Sequence, residues 1–319
     1  MQTCTKCGAP LSRLDAQCSF CNAPNPRRAS IAPEVEGLVA RGQEAYQRGR
    51  PGEAVELLAR AVTLEPEAFD AYFTLAAAWN DLGNLERGVE SMERARTIRP
   101  GNAPIHYNLG TFFRRLGRRA RARACLCEAA RLLSYDLVGP HKQQFLDTIR
   151  GELTQLGPVT ADELAELELR RDAQGHPENP ELSRCVHELA GPVSTGAALR
   201  FYAAMLRAFL LVPDGGSDGA RDGVLKVANT KQELRVALVT GPDGRPWFPA
   251  FTDAPALSAF RGNAAAPYTA LPAAVIAGMI LGDPSTAGLV LNPGPSGGRP
   301  VERHGVEAIS QGAWPRLTI

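Results

Sequence analysis

The stretch GRPGEAVELLARAVTLEP (residues 49–66) returns as GNLERGVESMERARTIRP (residues 83–100), with the first glycine and the final proline each displaced by 34 residues. A third copy, GRRARARACLCEAARLLS (117–134), keeps the same frame but ends on Ser134 instead of a proline. A 34-residue period with two amphipathic helices in each unit indicates a repeat protein in which neighbouring units stack on one another. This pattern predicts an all-helical array for the first half of the chain.

The spacing inside the frame supports this prediction. With units at 35–68, 69–102 and 103–136, small residues recur at positions eight, twenty and twenty-seven, and a larger apolar residue recurs at position twenty-four. The residues are Gly42, Ala76 and Gly110 at position eight, Ala54, Gly88 and Ala122 at position twenty, Ala61, Ala95 and Ala129 at position twenty-seven, and Leu58, Met92 and Leu126 at position twenty-four. The chain resembles the tetratricopeptide repeat (TPR) family over about 100 residues. The resemblance implies an all-α superhelix.

A further amphipathic segment follows the third unit. HKQQFLDTIRGELTQL (141–156) places four apolar residues on one helical stripe: Phe145, Ile149, Leu153 and Leu156. A terminal unit needs one apolar and one polar face, so this segment is predicted to be the capping helix. The array with its cap is assigned to residues 33–157, and the preceding NPRRAS is interpreted as a polar linker.

The resemblance also implies a binding groove. Arrays of this family bind extended peptides or partner helices in a groove lined by the first helix of each unit. By the family pattern, the groove residues here are Val39, Gln43, Tyr46, Phe73, Asn80, Tyr107, Thr111 and Arg114. Aromatic side chains with an arginine suit a peptide with apolar and acidic features. Val39 and Gln43 stand where chaperone-binding arrays carry lysine and asparagine, so docking to a chaperone is not supported.

An arginine-rich stretch crosses the boundary between the two helices of the third unit. RRLGRRARARA (114–124) contains six arginines and no acidic residue. It is interpreted first as a solvated loop and helix face, and alternatively as a site for an anion or an acidic partner. Cys125 and Cys127, which follow it, are predicted to be small packing residues of the helix core.

The N-terminus carries a second, shorter repetition, CTKCGAP (4–10) and CSFCNAP (18–24). Two residues between cysteines let both thiolates of a pair reach one ion, and two such pairs supply the four sulfurs of a tetrahedral zinc site. The metal ligands are therefore predicted to be Cys4, Cys7, Cys18 and Cys21. Disulfides, free thiols and an iron–sulfur cluster are the alternatives.

Four thiolate ligands would leave no open position on the zinc ion, which indicates a structural and not a catalytic site. The segment resembles the short zinc ribbons at the N-termini of many bacterial multidomain proteins, and a zinc ribbon is assigned to residues 1–26. This module is mildly basic, so contact with nucleic acid is considered as an alternative to a solvated surface.

A charged connector is assigned to residues 158–178, for which TADELAELELRRDAQ indicates helix. After it, the predicted secondary structure changes from helices alone to a mixture of helices and strands. Helices are predicted at 180–190, 195–208, 253–261, 271–281 and 305–310; strands are predicted at 209–213, 223–229, 234–240, 247–252 and 288–293. GPDGRP between the third and fourth strands is typical of a hairpin turn, and the mixture indicates an α+β domain over 179–319.

The order FLLVP, WFPAFTDAPALSAF, GLVLNPG and PVERHGVEAI resembles the SseB-like N-terminal domain family over about 135 residues. For this family the resemblance implies a fold but no catalytic residues. Within it, Thr252 or Asp253 is predicted to cap the helix that follows. Asp253, Asp283 and His304 are the polar residues nearest strand ends, and turn or cap roles are predicted for them.

Charge, composition and motifs narrow the function further. The chain has 35 Lys and Arg against 34 Asp and Glu, so net charge favours neither nucleic acid nor membrane. No signal peptide, phosphate-binding loop, G-x-S-x-G or H-E-x-x-H motif is present in the sequence. The leading hypothesis is a non-catalytic cytoplasmic adaptor that binds protein or peptide partners and contains one structural Zn²⁺. The alternatives are a nucleic-acid-associated regulator, which would use the zinc ribbon and the arginines, and an enzyme whose site lies in the C-terminal domain.

Overall fold

The computed structural model describes residues 2–3, 6, 10–11, 23, 26–134, 140–160, 163, 171–189, 193–213, 224–229, 232–241, 243–262, 267–294, 298–315 and 317. The chain divides into two compact units, Met1–Leu116 and Gly117–Ile319.

In the described part of the N-terminal unit, five helices pack on one another in chain order. They are α1 (Pro26–Gln47), α2 (Pro51–Leu64), α3 (Phe69–Asp81), α4 (Leu85–Ile98) and α5 (Ala103–Arg115). Two short strands, β1 (Gln2–Thr3) and β2 (Pro10–Leu11), precede them and pair antiparallel. The predicted helical array is therefore confirmed for the first two and a half units.

The 34-residue period of glycines has a conformational cause. Gly49, Gly83 and Gly117 each follow the first helix of a unit, and their φ angles are +73°, +78° and +73°. This left-handed region is costly for residues with a Cβ atom, so glycine recurs wherever the same tight turn recurs.

The small residues of the frame let helices approach one another. A Cβ atom on Gly42 would lie 2.7 Å from Cγ of Leu58, and one on Gly88 would lie 3.3 Å from the Phe112 ring. Leu58 is itself fully buried. Position eight of the first unit therefore cannot hold a larger residue unless Leu58 moves.

One boundary differs from the sequence interpretation. α1 begins at Pro26, so residues 26–30 of the NPRRAS stretch, which was interpreted as a linker, form the start of this helix. Proline is well suited to a first helical position because its φ is already helical and its missing N–H would have no partner there. The proline that suggested a linker is instead where the helix starts.

The C-terminal unit begins with α6 (Arg119–Ser134) and α7 (Pro140–Leu156), which pack on each other. Its other helices are α8 (Pro180–Glu188), α9 (Thr195–Met205), α10 (Ala254–Phe260), α11 (Ala273–Gly282) and α12 (Arg303–Ser310). The predicted capping segment is thus helical, with Ile149 and Leu153 fully buried.

The strands of this unit are β3 (Phe209–Pro213), β4 (Val224–Asn229), β5 (Gln232–Ala237), β6 (Val239–Thr240), β7 (Pro246–Ala250), β8 (Tyr268–Pro272), β9 (Gly288–Leu291) and β10 (Arg299–Glu302). Four of them form a sheet in the order β10–β9–β7–β6, in which β7 and β9 are parallel. β3 pairs with β8, and β4 pairs with β5. The predicted α+β class and the hairpin between β6 and β7 are confirmed.

In the C-terminal unit, the sequence interpretation missed strands β8 and β10. β8 ends at Pro272, directly before the apolar helix α11, and the continuous apolar run across both elements suggested one helix. β10 is an edge strand of four residues with a proline, a position that tolerates proline and shows no clear alternation.

The core of this domain lies between its helices and its sheets and includes Met205, Leu210, Phe248, Ile276 and Ile309. Within the described residues, no helix has both the length and the apolar character needed to cross a membrane.

Candidate functional site

Six of the eight groove residues predicted from sequence form the partner-binding set. All six lie on the first helices of the three units and are half-buried. Tyr46 is near the end of α1; Phe73 and Asn80 are on α3; Tyr107, Thr111 and Arg114 are on α5. Residues seven apart on a helix, such as Phe73 and Asn80, share one face because seven residues make nearly two turns. We refer to these six residues as the groove residues.

A chain of polar contacts joins the three groove helices at their C-terminal ends. The Tyr46 hydroxyl of α1 hydrogen-bonds to the Asp81 carboxylate of α3. Asn80 Nδ2 donates to Asp81 Oδ1 at 3.0 Å, and Arg115 of α5 donates through Nη1 to Asn80 Oδ1. We call these four residues, Tyr46, Asp81, Asn80 and Arg115, the polar ladder. The ladder has the Asp81 carboxylate on α3 and the Arg115 guanidinium on α5, with Asn80 between them.

The ladder changes the titration of Tyr46. Burial raises the pKa of the Tyr46 hydroxyl above its ordinary value, and the hydrogen bond to Asp81 and the negative charge of that carboxylate raise it further. A tyrosine with a raised pKa stays protonated at neutral pH and can donate to the carboxylate throughout the physiological range.

The other end of the groove is aromatic. The ring centroids of Phe73 and Phe69 are 5.9 Å apart, and the Arg99 guanidinium lies 4.0 Å from the Phe69 centroid. Arginine over an aromatic face is an attractive arrangement that holds the ring in one orientation. The groove therefore has a polar end built from the ladder and an aromatic end around Phe73.

Sequence reasoning missed Asp81 and Arg115. Both stand at position thirteen of the 34-residue frame, one residue beyond the predicted groove positions Asn80 and Arg114. The available signal was their opposite charge at the same position of successive units. Opposite charges at matching positions of stacked helices favour contact between those helices.

The predicted metal ligands Cys4, Cys7, Cys18 and Cys21 lie outside the described residues. In the part of the chain that the structure describes, no three His, Cys, Asp or Glu side chains are grouped so as to hold a metal ion. Cys125 and Cys127 are buried free thiols, in agreement with their predicted packing role. Burial raises the pKa of the Cys127 thiol, which keeps it protonated.

A second polar cluster lies at the carboxyl ends of the parallel strands β7 and β9. Thr252 is fully buried, and its backbone N–H donates to Asn292 Oδ1 at 2.9 Å. Ser183 Oγ donates to Asp253 Oδ2 at 2.8 Å, and Asn179 Nδ2 donates to the carbonyl oxygen of Thr252 at 2.7 Å. These bonds satisfy the polar groups within the cluster and tie α8 to the sheet, so the arrangement is structural.

Asp253 and Asp283 have the cap and turn roles predicted from sequence. Asp253 Oδ1 accepts from Ala256 N at 2.9 Å, which caps α10. Asp283 accepts the Thr286 hydroxyl at 2.7 Å, and this hydrogen bond is the main reason that the pKa of the Asp283 carboxyl lies below its ordinary value. His304 is exposed and lies 3.6 Å from Glu302.

The arginine-rich stretch is not the uniformly solvated surface that was expected. Arg123 is 1% exposed, and its Nη1 donates to the Gly312 carbonyl oxygen. Arg119 is half-buried and contacts Leu156, Pro158 and Glu163. At least these two arginines bind other parts of their own chain.

Sequence models of two families match the chain. Residues 39–103 and 103–132 match the tetratricopeptide repeat, and residues 182–308 match the SseB protein N-terminal domain. The chain therefore carries TPR repeats followed by an SseB N-terminal domain, as the sequence resemblances indicated.

Individual similar proteins are distant or short. TPR repeat-containing thioredoxin TTL4 of Arabidopsis thaliana is 32% identical over 101 residues, or 32% of this chain, and the chain spans 15% of the length of TTL4. The type III secretion chaperone SycD of Yersinia enterocolitica, in complex with a peptide of the translocator YopD, is 16% identical with a TM-score of 0.36, and the match covers 38% of this chain and 91% of SycD. The TPR2B-domain:pHsp70 complex of yeast Sti1 gives 18% identity and a TM-score of 0.36, covering 38% of this chain and 97% of that chain.

Proposed function

We propose that this protein is a non-catalytic adaptor that holds a protein or peptide partner in the groove of its TPR repeats. The observation that carries the proposal is the arrangement of the six groove residues. They lie on three successive first helices and are half-buried, and two of them, Tyr46 and Asn80, belong to the polar ladder that holds α1, α3 and α5 in register. A groove held by its own hydrogen bonds loses little conformational entropy when a partner binds.

The ladder divides the groove residues by role. Asn80 uses its amide oxygen and nitrogen for Arg115 and Asp81, so it positions helices, and the partner is expected to contact Phe73, Tyr107 and Thr111. Arg114 and Arg115 place two positive charges at the α5 end of the ladder. We therefore expect a partner segment with an apolar side chain for the Phe73 end and an acidic side chain for the α5 end.

The other modules complete the proposal. Four cysteines suit one structural zinc ion, and Cys4 and Cys7 fall in the sequence between the paired strands β1 and β2. Zinc bound there would stabilise the fold of the N-terminal module and supply no catalytic water. The SseB-like domain would provide a second interaction surface, and the adaptor would act in the cytoplasm.

The nucleic-acid alternative is less well supported than it was from sequence. It relied on six arginines facing a polyanion, but Arg123 is buried and Arg119 contacts the end of α7. A buried guanidinium cannot release counterions from a phosphate backbone, so fewer cations are left for such a surface.

Affinity capture with full-length protein tests the groove. The groove variant combines Tyr107→Ala with Arg114→Glu, and its matched control combines Tyr72→Ala with Arg94→Glu. The control removes the same two residue types from α3 and α4, where the Arg94 guanidinium lies 5.9 Å from the Tyr72 ring.

We expect the groove variant to lose partners that wild type and the control both retain, with unchanged helical circular dichroism in all three proteins. Identical partner sets for wild type and the groove variant would overturn the assignment of the groove. Equal losses in the groove variant and the control would also contradict it, because binding would then not depend on the groove face.

A further inference from the structure

Two arginines one turn apart on α6 bind the ends of other helices in the C-terminal unit. Arg119 Nη2 donates to the carbonyl oxygens of Leu156 and Pro158, at 3.1 Å and 2.6 Å. Its Nη1 lies 3.2 Å from Glu163 Oε1. Leu156 is the last residue of α7, so this guanidinium satisfies carbonyl groups that have no partner inside that helix.

Arg123 binds the backbone just beyond the end of α12, and it does so from a buried position. It is 1% exposed and donates to the carbonyl oxygen of Gly312, which lies just beyond the end of α12. The backbone of Gly157, just beyond the end of α7, lies 2.7 Å from the point where Gly312 would carry a Cβ atom. The Arg123 guanidinium therefore lies where the C-terminal ends of two helices meet.

The charge of Arg123 needs this environment. Burial lowers the pKa of the guanidinium from its ordinary value, but arginine stays protonated in proteins, so the cation remains inside the fold. Helix C-termini carry partial negative charge, and the two ends, together with the nearby charge of Glu163, compensate the buried cation.

α6 also contacts the SseB-like domain directly. It packs against α9, and its Cys127 is fully buried within reach of the charges of Arg207 and Glu181. The TPR match ends at residue 132 and the SseB match begins at residue 182, so the sequence matches assign α6 to the repeats and α7 to neither family.

We infer that α6, α7 and the SseB-like domain form one cooperative folding unit and that Arg123 is the residue that positions the end of α12 against the end of α7. The SseB-like domain is then not a separate module on a linker. It requires the last helix of the repeats, and a change that removes the contact of Arg123 also loosens the end of α12. This inference does not depend on the partner proposed for the groove.

Hydrogen exchange of the wild-type, full-length protein in increasing denaturant is the first test. We expect protected amides of α6, α7, α9 and α12 to share one opening reaction with the same dependence on denaturant, because they belong to one unit. Opening of α6 and α7 at lower denaturant, while α9 and α12 stay closed, would overturn the inference.

The second test assigns the role of Arg123. Arg123→Gln removes the cation, and Arg118→Gln is its matched control, since Arg118 is an exposed arginine at the start of the same helix. We expect Arg123→Gln to raise exchange at least tenfold in both 153–157 and 308–313, and Arg118→Gln to change neither segment.

Arg119→Gln is the milder variant and keeps the test decisive should Arg123→Gln not fold. Among the described residues, its hydrogen bonds go to Leu156, Pro158 and Glu163, so exchange should rise in 153–157 and stay unchanged in 308–313. Unchanged exchange at 308–313 in folded Arg123→Gln, or a rise there in Arg119→Gln, would show that Arg123 does not position α12.

Discussion

Replacement of Gly312 by alanine should destabilise the C-terminal unit more than the loss of a left-handed glycine alone. Gly312 has a φ angle of +77° and lies just beyond the last residue of α12. A Cβ atom there would lie 2.7 Å from both the carbonyl carbon and the carbonyl oxygen of Gly157, and it would also meet Arg123 Nη2. Neither neighbour can move easily, because one is backbone and the other is buried.

The expected magnitude has two parts. A left-handed conformation costs a residue with a Cβ atom about 1–2 kcal/mol. Inserting a methyl group into filled space costs a further ~1–3 kcal/mol. Gly312→Ala should therefore lower the free energy of unfolding by about 2–5 kcal/mol.

Gly262 supplies the matched control, because it follows the end of α10 with a φ angle of +66°. No atom of the described residues lies within 4 Å of its Cβ position. Gly262→Ala should therefore cost only the conformational part, about 1–2 kcal/mol. The difference between the two variants isolates the close approach of Gly157 and Arg123 to Gly312.

Urea unfolding followed by tryptophan fluorescence measures both variants. In a Trp79→Phe background, the two remaining tryptophans, Trp247 and Trp314, both report on the C-terminal unit. Equal destabilisation by Gly312→Ala and Gly262→Ala, to within about 0.5 kcal/mol, would refute the proposed close packing of the two helix ends.

Three further predictions concern other parts of the chain. In α1, Gly42→Ala should destabilise the N-terminal unit by about 1–3 kcal/mol, because its Cβ atom would collide with buried Leu58. Exposed Gly37→Ala should instead stabilise this unit by about 0.8–1 kcal/mol through helix propensity. Thermal unfolding of both variants distinguishes these signs, and a stabilising effect of Gly42→Ala would contradict the packing. The lowered pKa of Asp283 means that its carboxylate contributes stability that is present above about pH 4 and lost as the pH falls through the folded-state pKa. On acid titration, Asp283→Asn should therefore lose less stability than wild type. Parallel curves of stability against pH would argue against this contribution. Elemental analysis of protein purified without chelator should find about one zinc per chain, and less in Cys4→Ser; wild-type protein without zinc would remove the metal from the proposal.

The parts of the fold that could be predicted from the sequence are those that depend on residues close together in the chain. The helices of the repeats follow from 3.6-residue periodicity, and the turns between them follow from glycines that alone tolerate the left-handed conformation. Strand β3 and the hairpin of β6 and β7 were likewise visible, since each is a short apolar run bounded by turn residues. β8 was not visible because its partner β3 lies far from it in the sequence. β10 was not visible because it is a short edge strand with a proline and no clear alternation.

The candidate site was predictable only in part. Position within the 34-residue frame placed Tyr46 and Asn80 on corresponding faces of successive helices. It did not reveal that Asp81 and Arg115 complete the ladder, because the contact depends on how neighbouring helices are rotated against each other. Because of this rotation, Asn80, which was predicted to bind a partner, forms hydrogen bonds with Asp81 and Arg115 of its own chain.

The sequence by itself determined the kinds of units in this protein. Periodicity, turn glycines and small residues at fixed spacing are local properties, and they define TPR repeats followed by an α+β domain. Only the tertiary structure decided the environment of each charge. Arg123 and Gly312 are 189 residues apart, and no local pattern distinguishes Arg123 from the other arginines of its stretch. Burial depends on which elements meet around a residue, so a side chain that resembled a solvated cation in the sequence lies at the junction of two helix ends.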